Sequence, residues 1–90
     1  MTINELIERG SLATNIPASE ITGTSRKDEI VITRHAISDI AYNAGYNYRQ
    51  IAEALKRKCH GTAINGCRRS SELKTNNSQF RTLYNLIKNG

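Results

Sequence analysis

The stretch NYRQIAEALKRKCHGTAINGCRRSSELK, residues 47–74, decides the fold of this chain. Asn47 and Gln50 have the spacing of a capping box, in which two side chains satisfy backbone amides at the start of a helix. Apolar residues then recur at the spacing of one helix face: Ile51, Ala52 and Leu55. The run ends in the cations 56–58, which the negative end of a helix dipole favours. The pattern therefore predicts a short amphipathic helix that closes at this basic run.

A second helix is predicted to begin near His60, after a break of about one to three residues. Three of its residues are expected to face inward: Ala63, Ile64 and Cys67. Three of its cations are expected to face outward: Arg68, Arg69 and Lys74. Two helices joined by so short a turn cross steeply, which predicts a helix-turn-helix over residues 47–74.

The rest of the chain is predicted to be helical as well. A capping box at Thr2 and Glu5 opens a short helix that is expected to end at Gly10. A second short helix is expected to start with Pro17 in its first turn and to stop at Gly23. A polar loop, residues 24–29, should then lead into a long helix over residues 30–44.

The C-terminal segment has the clearest periodicity. Asn77 or Ser78 is expected to cap a helix whose apolar stripe repeats at i, i+3, i+4 and i+7: Phe80, Leu83, Tyr84 and Ile87. We therefore predict an all-α fold, a small bundle of about six helices that forms one domain over residues 1–90.

The composition places this domain among small helical proteins. No apolar run approaches the roughly 20 residues that a membrane span needs, and no secretory leader is recognisable. Cys59 and Cys67 lie eight positions apart in one predicted helix, so a mutual disulfide is not expected. We expect a monomeric, cytoplasmic and nucleoid-associated protein without a cofactor and without a small-molecule substrate.

Positive charge is concentrated in the second half of the chain. Residues 1–45 carry four basic and six acidic side chains, a net charge of −2. Residues 46–90 carry nine basic and two acidic side chains, a net charge of +7. A positive field confined to one half is typical of a surface that binds a polyanion, although a basic solvated surface has the same composition.

The start of the second helix carries residues that can read base edges. In a helix-turn-helix, the second helix enters the major groove by its N-terminal residues. Five residues are candidates for base contacts at this end: Cys59, His60, Gly61, Thr62 and Asn65. Six cations surround them and are candidates for phosphate contacts: Arg49, Lys56, Arg57, Lys58, Arg68 and Arg69. The pattern predicts binding to double-stranded DNA with some sequence preference.

The run from Tyr48 to Leu73 resembles the DNA-binding domain, domain IV, of the bacterial replication initiator DnaA. Six residues fall on positions that match this family's motif: Ile51, His60, Thr62, Cys67, Arg68 and Arg69. The resemblance implies a phosphate contact for Arg34, which lies at the opening of the long helix. It also implies a minor-groove contact for the basic loop that holds Arg26 and Lys27. A regulator or competitor at initiator-type or promoter sites is the function that the resemblance implies.

This sequence departs from the family pattern at several positions. Cys59 stands where the family has Asp, Gly61 where it has a hydroxyl residue, and Lys56-Arg57 where it has a Gly-Gly turn. The base preference of the family therefore does not carry over. The phosphate-cradling motif of an ATPase, Gly-x-x-x-x-Gly-Lys-(Ser/Thr), does not occur in this sequence, and we expect no enzymatic activity.

Three other interpretations remain open at this stage. A zinc site would have to use Cys59, His60, Cys67 and His35, which lack the paired spacing of structural zinc ligands, so we expect no metal. A protein–protein adaptor that antagonises an initiator would also present a basic helical face. An RNA-binding helical module would do the same, because basic faces attract any polyanion.

Overall fold

A computed structural model of the chain describes residues 2–89. In this range the chain forms six α-helices and no strand: α1 (Ile3–Thr14), α2 (Ala18–Ile21), α3 (Asp28–Asn43), α4 (Tyr48–Ala54), α5 (Gly61–Asn76) and α6 (Ser78–Asn89). The prediction of an all-α bundle is therefore confirmed. None of the helices within residues 2–89 combines the length and the apolar character needed to cross a bilayer.

Helix α1 is longer than predicted. The Thr2 hydroxyl accepts a hydrogen bond from the Glu5 amide at 3.2 Å, as expected for the N-cap. The helix does not stop at Gly10 but continues to Thr14 and closes at Asn15, which has a left-handed φ of 60°. Gly10 is buried against α3. A Cβ at this position would lie only 3.1 Å from Ile37 Cδ1. Its role is to let α1 approach α3 closely, not to end the helix.

Helix α3 is the central helix of the bundle. It begins at Asp28, two residues before the predicted start, because the acidic side chains of Asp28 and Glu29 suit the positive end of a helix dipole. Pro17 is the N-cap of α2 and not part of its first turn. The core that surrounds α3 is mostly Ile and Leu with one Phe; its largest fully buried hydrophobic side chains are Leu6, Ile21, Ile30, Ile37, Ile51, Leu55, Phe80 and Ile87. The predicted stripe of α6 packs here, with Leu83 half-buried.

Helix α4 starts as predicted and ends earlier. The side chains and amides of Asn47 and Gln50 form the complete capping box, with distances of 2.8 and 2.9 Å. The helix ends at Ala54, so six residues, 55–60, separate it from α5, where a break of one to three residues was predicted. Leu55 is buried in the core and holds this connection to the bundle.

The end of α4 has the hydrogen bonds of a Schellman motif. The Arg57 amide donates to the Ala52 carbonyl at 2.8 Å, and the Lys56 amide donates to the Glu53 carbonyl at 3.0 Å. Lys56 takes the left-handed position that glycine usually fills, with φ of 57°. The helix therefore terminates before the basic run, and Lys56, Arg57 and Lys58 belong to the connection, not to the last turn of α4.

Helix α5 packs on α3 through small residues. Ala63, Gly66 and Ser70 form its buried face. The predicted inward face was partly wrong, because Ile64 is exposed and Cys67 is only half-buried. A Cβ at Gly66 would lie 3.0 Å from Ser38 Oγ, so the two helices are too close for a larger side chain at this position.

A buried carboxylate completes the contact between α3 and α5. Asp39 accepts hydrogen bonds from Ser70 Oγ at 2.9 Å and from the Asn43 amide at 3.1 Å. Lys74 Nζ lies 2.8 Å from the same carboxylate and 4.5 Å from the centre of the Tyr84 ring. The prediction that Lys74 faces outward with the other cations was therefore wrong. The hydrogen bond to Asp39 raises the pKa of Lys74, which keeps the pair ionised.

Candidate nucleic-acid interface

All five predicted base-reading residues, which lie at the start of α5 and just before it, are open to solvent. Cys59, His60, Gly61, Thr62 and Asn65 are exposed. His60 is the N-cap residue, but its side chain makes no capping hydrogen bond. The imidazole is therefore not committed to holding the helix start and can serve an external partner.

Asn65 and Arg68 form a pair on the exposed face of α5. Arg68 Nη2 donates a hydrogen bond to Asn65 Oδ1 at 2.9 Å. This bond uses one lone pair of the amide oxygen and leaves the second lone pair and the NH₂ group. These remaining groups are an acceptor and a donor side by side, which is the combination that pairs with the major-groove edge of adenine.

Four predicted phosphate contacts differ in whether their charge is already paired with a carboxylate. Arg49 lies 3.3 Å from Glu53, and Arg69 pairs with Glu72, in ion pairs whose side chains are about half exposed or more. Exposed pairs of this kind contribute at most about 1 kcal/mol, so a phosphate can replace the carboxylate. Lys56 and Lys58 are exposed and have no carboxylate partner within residues 2–89.

Arg34 is placed differently from the phosphate contact that the resemblance implied. Its side chain is only 8% exposed and donates to four backbone carbonyls. These acceptors are Ile21 O at 2.6 Å, Ser25 O at 2.8 Å, Gly23 O at 2.9 Å and Glu20 O at 3.1 Å. With most of its donors engaged, Arg34 organises residues 20–25 and has little hydrogen-bonding capacity left for a phosphate.

Arg57 joins the turn before α5 to the same loop. Its Nη2 donates to the Gly23 carbonyl at 2.6 Å, so Gly23 O accepts from both Arg57 and Arg34. Burial and, to a smaller extent, the charge of Arg57 lower the pKa of Arg34. The predicted phosphate contact Arg57 is thus half-buried and holds the loop against the α4–α5 connection, and it lines a cleft on each side.

A cleft of about 500 Å³ lies between the loop and α5, beside the contacts of Arg34 and Arg57 with Gly23. Arg26 lies on one wall, and Thr62 and Asn65 lie on the other. The floor is formed by residues of α3 that include His35 and Ser38. The structure therefore brings the predicted minor-groove arginine close to two predicted base-reading residues, although they are 36 positions or more apart in the sequence. Lys27, the other basic residue of the loop, is exposed at the N-cap of α3.

A second cleft of about 330 Å³ lies on the other side of Arg57. Three cations line it, Arg49, Arg57 and Lys58, together with Ala52, Glu53 and His60. The two clefts flank the start of α5, so positive charge lies on both sides of the predicted base-reading residues.

His35, which the sequence analysis named only as a possible zinc ligand, also lies in this region. It is half-buried in the floor of the first cleft, where Gly66 packs beside its ring. Burial lowers the pKa of His35, and the positive charges of Arg69 and Arg34 lower it further. The imidazole is therefore neutral near pH 7 and can accept a hydrogen bond.

No metal site is apparent in the part of the chain that the structure describes. No group of three or more His, Cys, Asp or Glu side chains comes together there. Cys59 and Cys67 are both free thiols. Burial raises the pKa of the Cys67 thiol to about 11, which keeps it protonated and unreactive at neutral pH.

The chain matches no known protein-family profile, and no solved structure matches it significantly.

Proposed function

We propose that this protein binds duplex DNA with sequence preference by inserting the first turn of α5 into the major groove. The observation that carries the proposal is the exposed first turn of α5, flanked by cations on both sides. His60, Thr62 and Asn65 supply hydrogen-bonding groups that suit base edges. In this arrangement α4 is the first helix and α5 the recognition helix of a helix-turn-helix.

The loop that holds Arg26 supports a second contact to the same duplex. Arg26 faces α5 across the first cleft. A helix in the major groove and a loop in the neighbouring minor groove must pass on either side of one sugar–phosphate strand. The cleft that Arg26 and Thr62 both line is the place we propose for that strand, since its basic and hydroxyl side chains suit phosphate oxygens.

The proposed biological role is that of a regulator or competitor at initiator-type or promoter sites. It rests on the resemblance of residues 48–73 to the DnaA DNA-binding domain. The exchange of the family's Asp for Cys59 and of its hydroxyl residue for Gly61 leads us to expect a different preferred sequence. A protein that shares the docking mode and differs in its base contacts is suited to compete at overlapping sites.

The decisive experiment is a selection of random duplexes on the purified protein at physiological salt. We expect one enriched motif of about one helical turn or less, since the longest dimension of the molecule is 30 Å and a turn of B-DNA is about 34 Å. The motif should lack two-fold symmetry because we expect a monomer to bind. Absence of any enriched motif would refute sequence preference.

Two controls separate the competing interpretations. A duplex RNA with the enriched sequence should compete poorly, because the deep and narrow major groove of A-form RNA does not admit a helix. Equal competition by this RNA would favour an RNA-binding module. Binding to neither duplex would favour the interpretation that the basic face binds an acidic protein partner.

A further inference from the structure

Ile64 is an apolar side chain in an unexpected position. The apolar pattern predicted that it faces the core, but it is 44% exposed. The adjacent Ala63 and the following Gly66 and Ser70 take the buried face of α5. Packing within residues 2–89 therefore does not account for an isoleucine at this position.

The neighbours of Ile64 on the exposed face are the residues of the candidate interface. His60, Ile64 and Arg68 are spaced at i, i+4 and i+8, so they lie along one face of α5. Gly61 and Asn65 follow the same spacing one position later. Ile64 is thus surrounded by the side chains that we propose to face DNA.

The other large exposed apolar side chains lie elsewhere. Leu12 and Leu86 line a shallow cleft between α1 and α6. Tyr42 stacks on Tyr48 with 4.6 Å between ring centres. Isolated exposed apolar residues are common on protein surfaces, so exposure alone says little. The position of Ile64 between His60 and Arg68 is what distinguishes it.

We propose that Ile64 reads the C5-methyl group of a thymine in the major groove and is a specificity-determining residue. This inference rests on the proposed function. Thymine is the natural base that presents a methyl group in this groove, and apolar side chains recognise it by contact. An isoleucine has no hydrogen-bonding group, so a cytosine at the same place would leave its amino group without a partner from this side chain.

The neighbouring Asn65 makes the assignment more specific. If its amide pairs with an adenine, the thymine that Ile64 contacts is expected at an adjacent base pair, because the two residues are consecutive in α5. The recognition surface of the helix would then combine hydrogen bonds from His60 and Asn65 with one apolar contact.

The test uses the enriched duplex and replaces each thymine, one at a time, with 2′-deoxyuridine, which lacks only the methyl group. We expect the wild-type protein to lose about fourfold in affinity at one thymine, the effect of burying one methyl group. Ile64→Ala should bind the thymine and uracil forms of that duplex equally, and Ile64→Val should retain part of the difference. Leu86→Ala is the matched control, because it removes an exposed apolar side chain on α6 and should leave the difference unchanged.

Three results would overturn the inference. The first is that no single uracil replacement weakens binding of the wild-type protein. The second is that the effect of uracil persists in Ile64→Ala. The third is that Ile64→Ala weakens binding to thymine, uracil and random duplexes by the same factor. All three leave the proposed function intact, whereas failure to enrich any duplex removes both proposals.

Discussion

Arg34 and Arg57 converge on the carbonyl oxygen of Gly23. This contact connects the loop that holds Arg26 with the turn before α5, and it depends on two guanidinium groups from different parts of the chain. Arg34 had been expected at the DNA surface. Its guanidinium is instead buried among four carbonyls, where it positions the loop over residues 20–25.

Replacing Arg34 with Gln should therefore destabilise the protein. A hydrogen bond from a charged group contributes about 1.5–3 kcal/mol, and Gln can replace only part of the four, so we expect a loss of about 2–4 kcal/mol in the free energy of unfolding. Urea denaturation measures this change. Arg26→Gln is the control, because Arg26 is exposed and should change stability by less than about 0.5 kcal/mol while weakening DNA binding. Equal stability of the two variants would contradict the positioning role of Arg34.

His35 predicts a pH dependence of stability. Burial and two neighbouring arginines lower its pKa in the folded protein, so the unfolded chain binds the proton more readily. Well above pH 6.5, the usual pKa of histidine, both states are neutral and His35 contributes no pH dependence. As the pH falls below that value, the unfolded state takes up the proton first and the free energy of unfolding decreases.

The variant His35→Gln isolates this contribution. Its free energy of unfolding should fall less steeply between pH 7 and pH 5 than that of the wild-type protein, as measured by urea denaturation at several pH values. The slope is the readout, since the substitution can shift the absolute stability at every pH. Parallel slopes for the two proteins would show that His35 does not have a lowered pKa.

Helix α5 shows what a sequence pattern can and cannot predict about an element. Its existence and its start near His60 were predicted from local signals, and the capping box of α4 was predicted for the same reason. Its buried face was predicted only at Ala63, because Gly66 and Ser70 are not recognised as core residues by an apolar pattern. They are buried because α3 lies close enough to exclude larger side chains, which is a property of two helices and not of one.

A matched pair of glycine substitutions tests this close approach. Gly66→Ala places a Cβ 3.1 Å from Ser38 Cβ in α3, so α3 and α5 must shift by a few tenths of an ångström to accept it. We expect a net destabilisation of about 1 kcal/mol or more, since overpacking costs more than the gain in helix propensity. Gly61→Ala meets only Cys59 Sγ at 3.4 Å and should be neutral or stabilising by up to about 1 kcal/mol. Thermal unfolding of both variants gives the comparison, and a more stable Gly66→Ala protein would contradict the packing described.

At the scale of the whole molecule, the charge asymmetry of the sequence produces a positively charged surface region. Most exposed cations of the second half gather around the start of α5, whereas Lys74 is withdrawn into the contact with Asp39. The sequence could predict the all-α class, the number of helices and the exposed candidate residues. It could not predict which cations make contacts inside the protein, because the partners of Arg34, Arg57 and Lys74 come from distant segments.

The central claim, that the first turn of α5 reads DNA bases, is tested most directly by comparing two variants on the enriched and on a scrambled duplex. His60→Ala should reduce the discrimination between the duplexes by about 1–3 kcal/mol, the range for a good base contact. Lys58→Ala should weaken binding to both duplexes equally and lower the salt dependence by about one unit of slope. Lys88→Ala, which removes the same charge in the last turn of α6, should have little effect. If His60→Ala weakens both duplexes equally and leaves the discrimination unchanged, the proposed reading of bases by α5 is wrong.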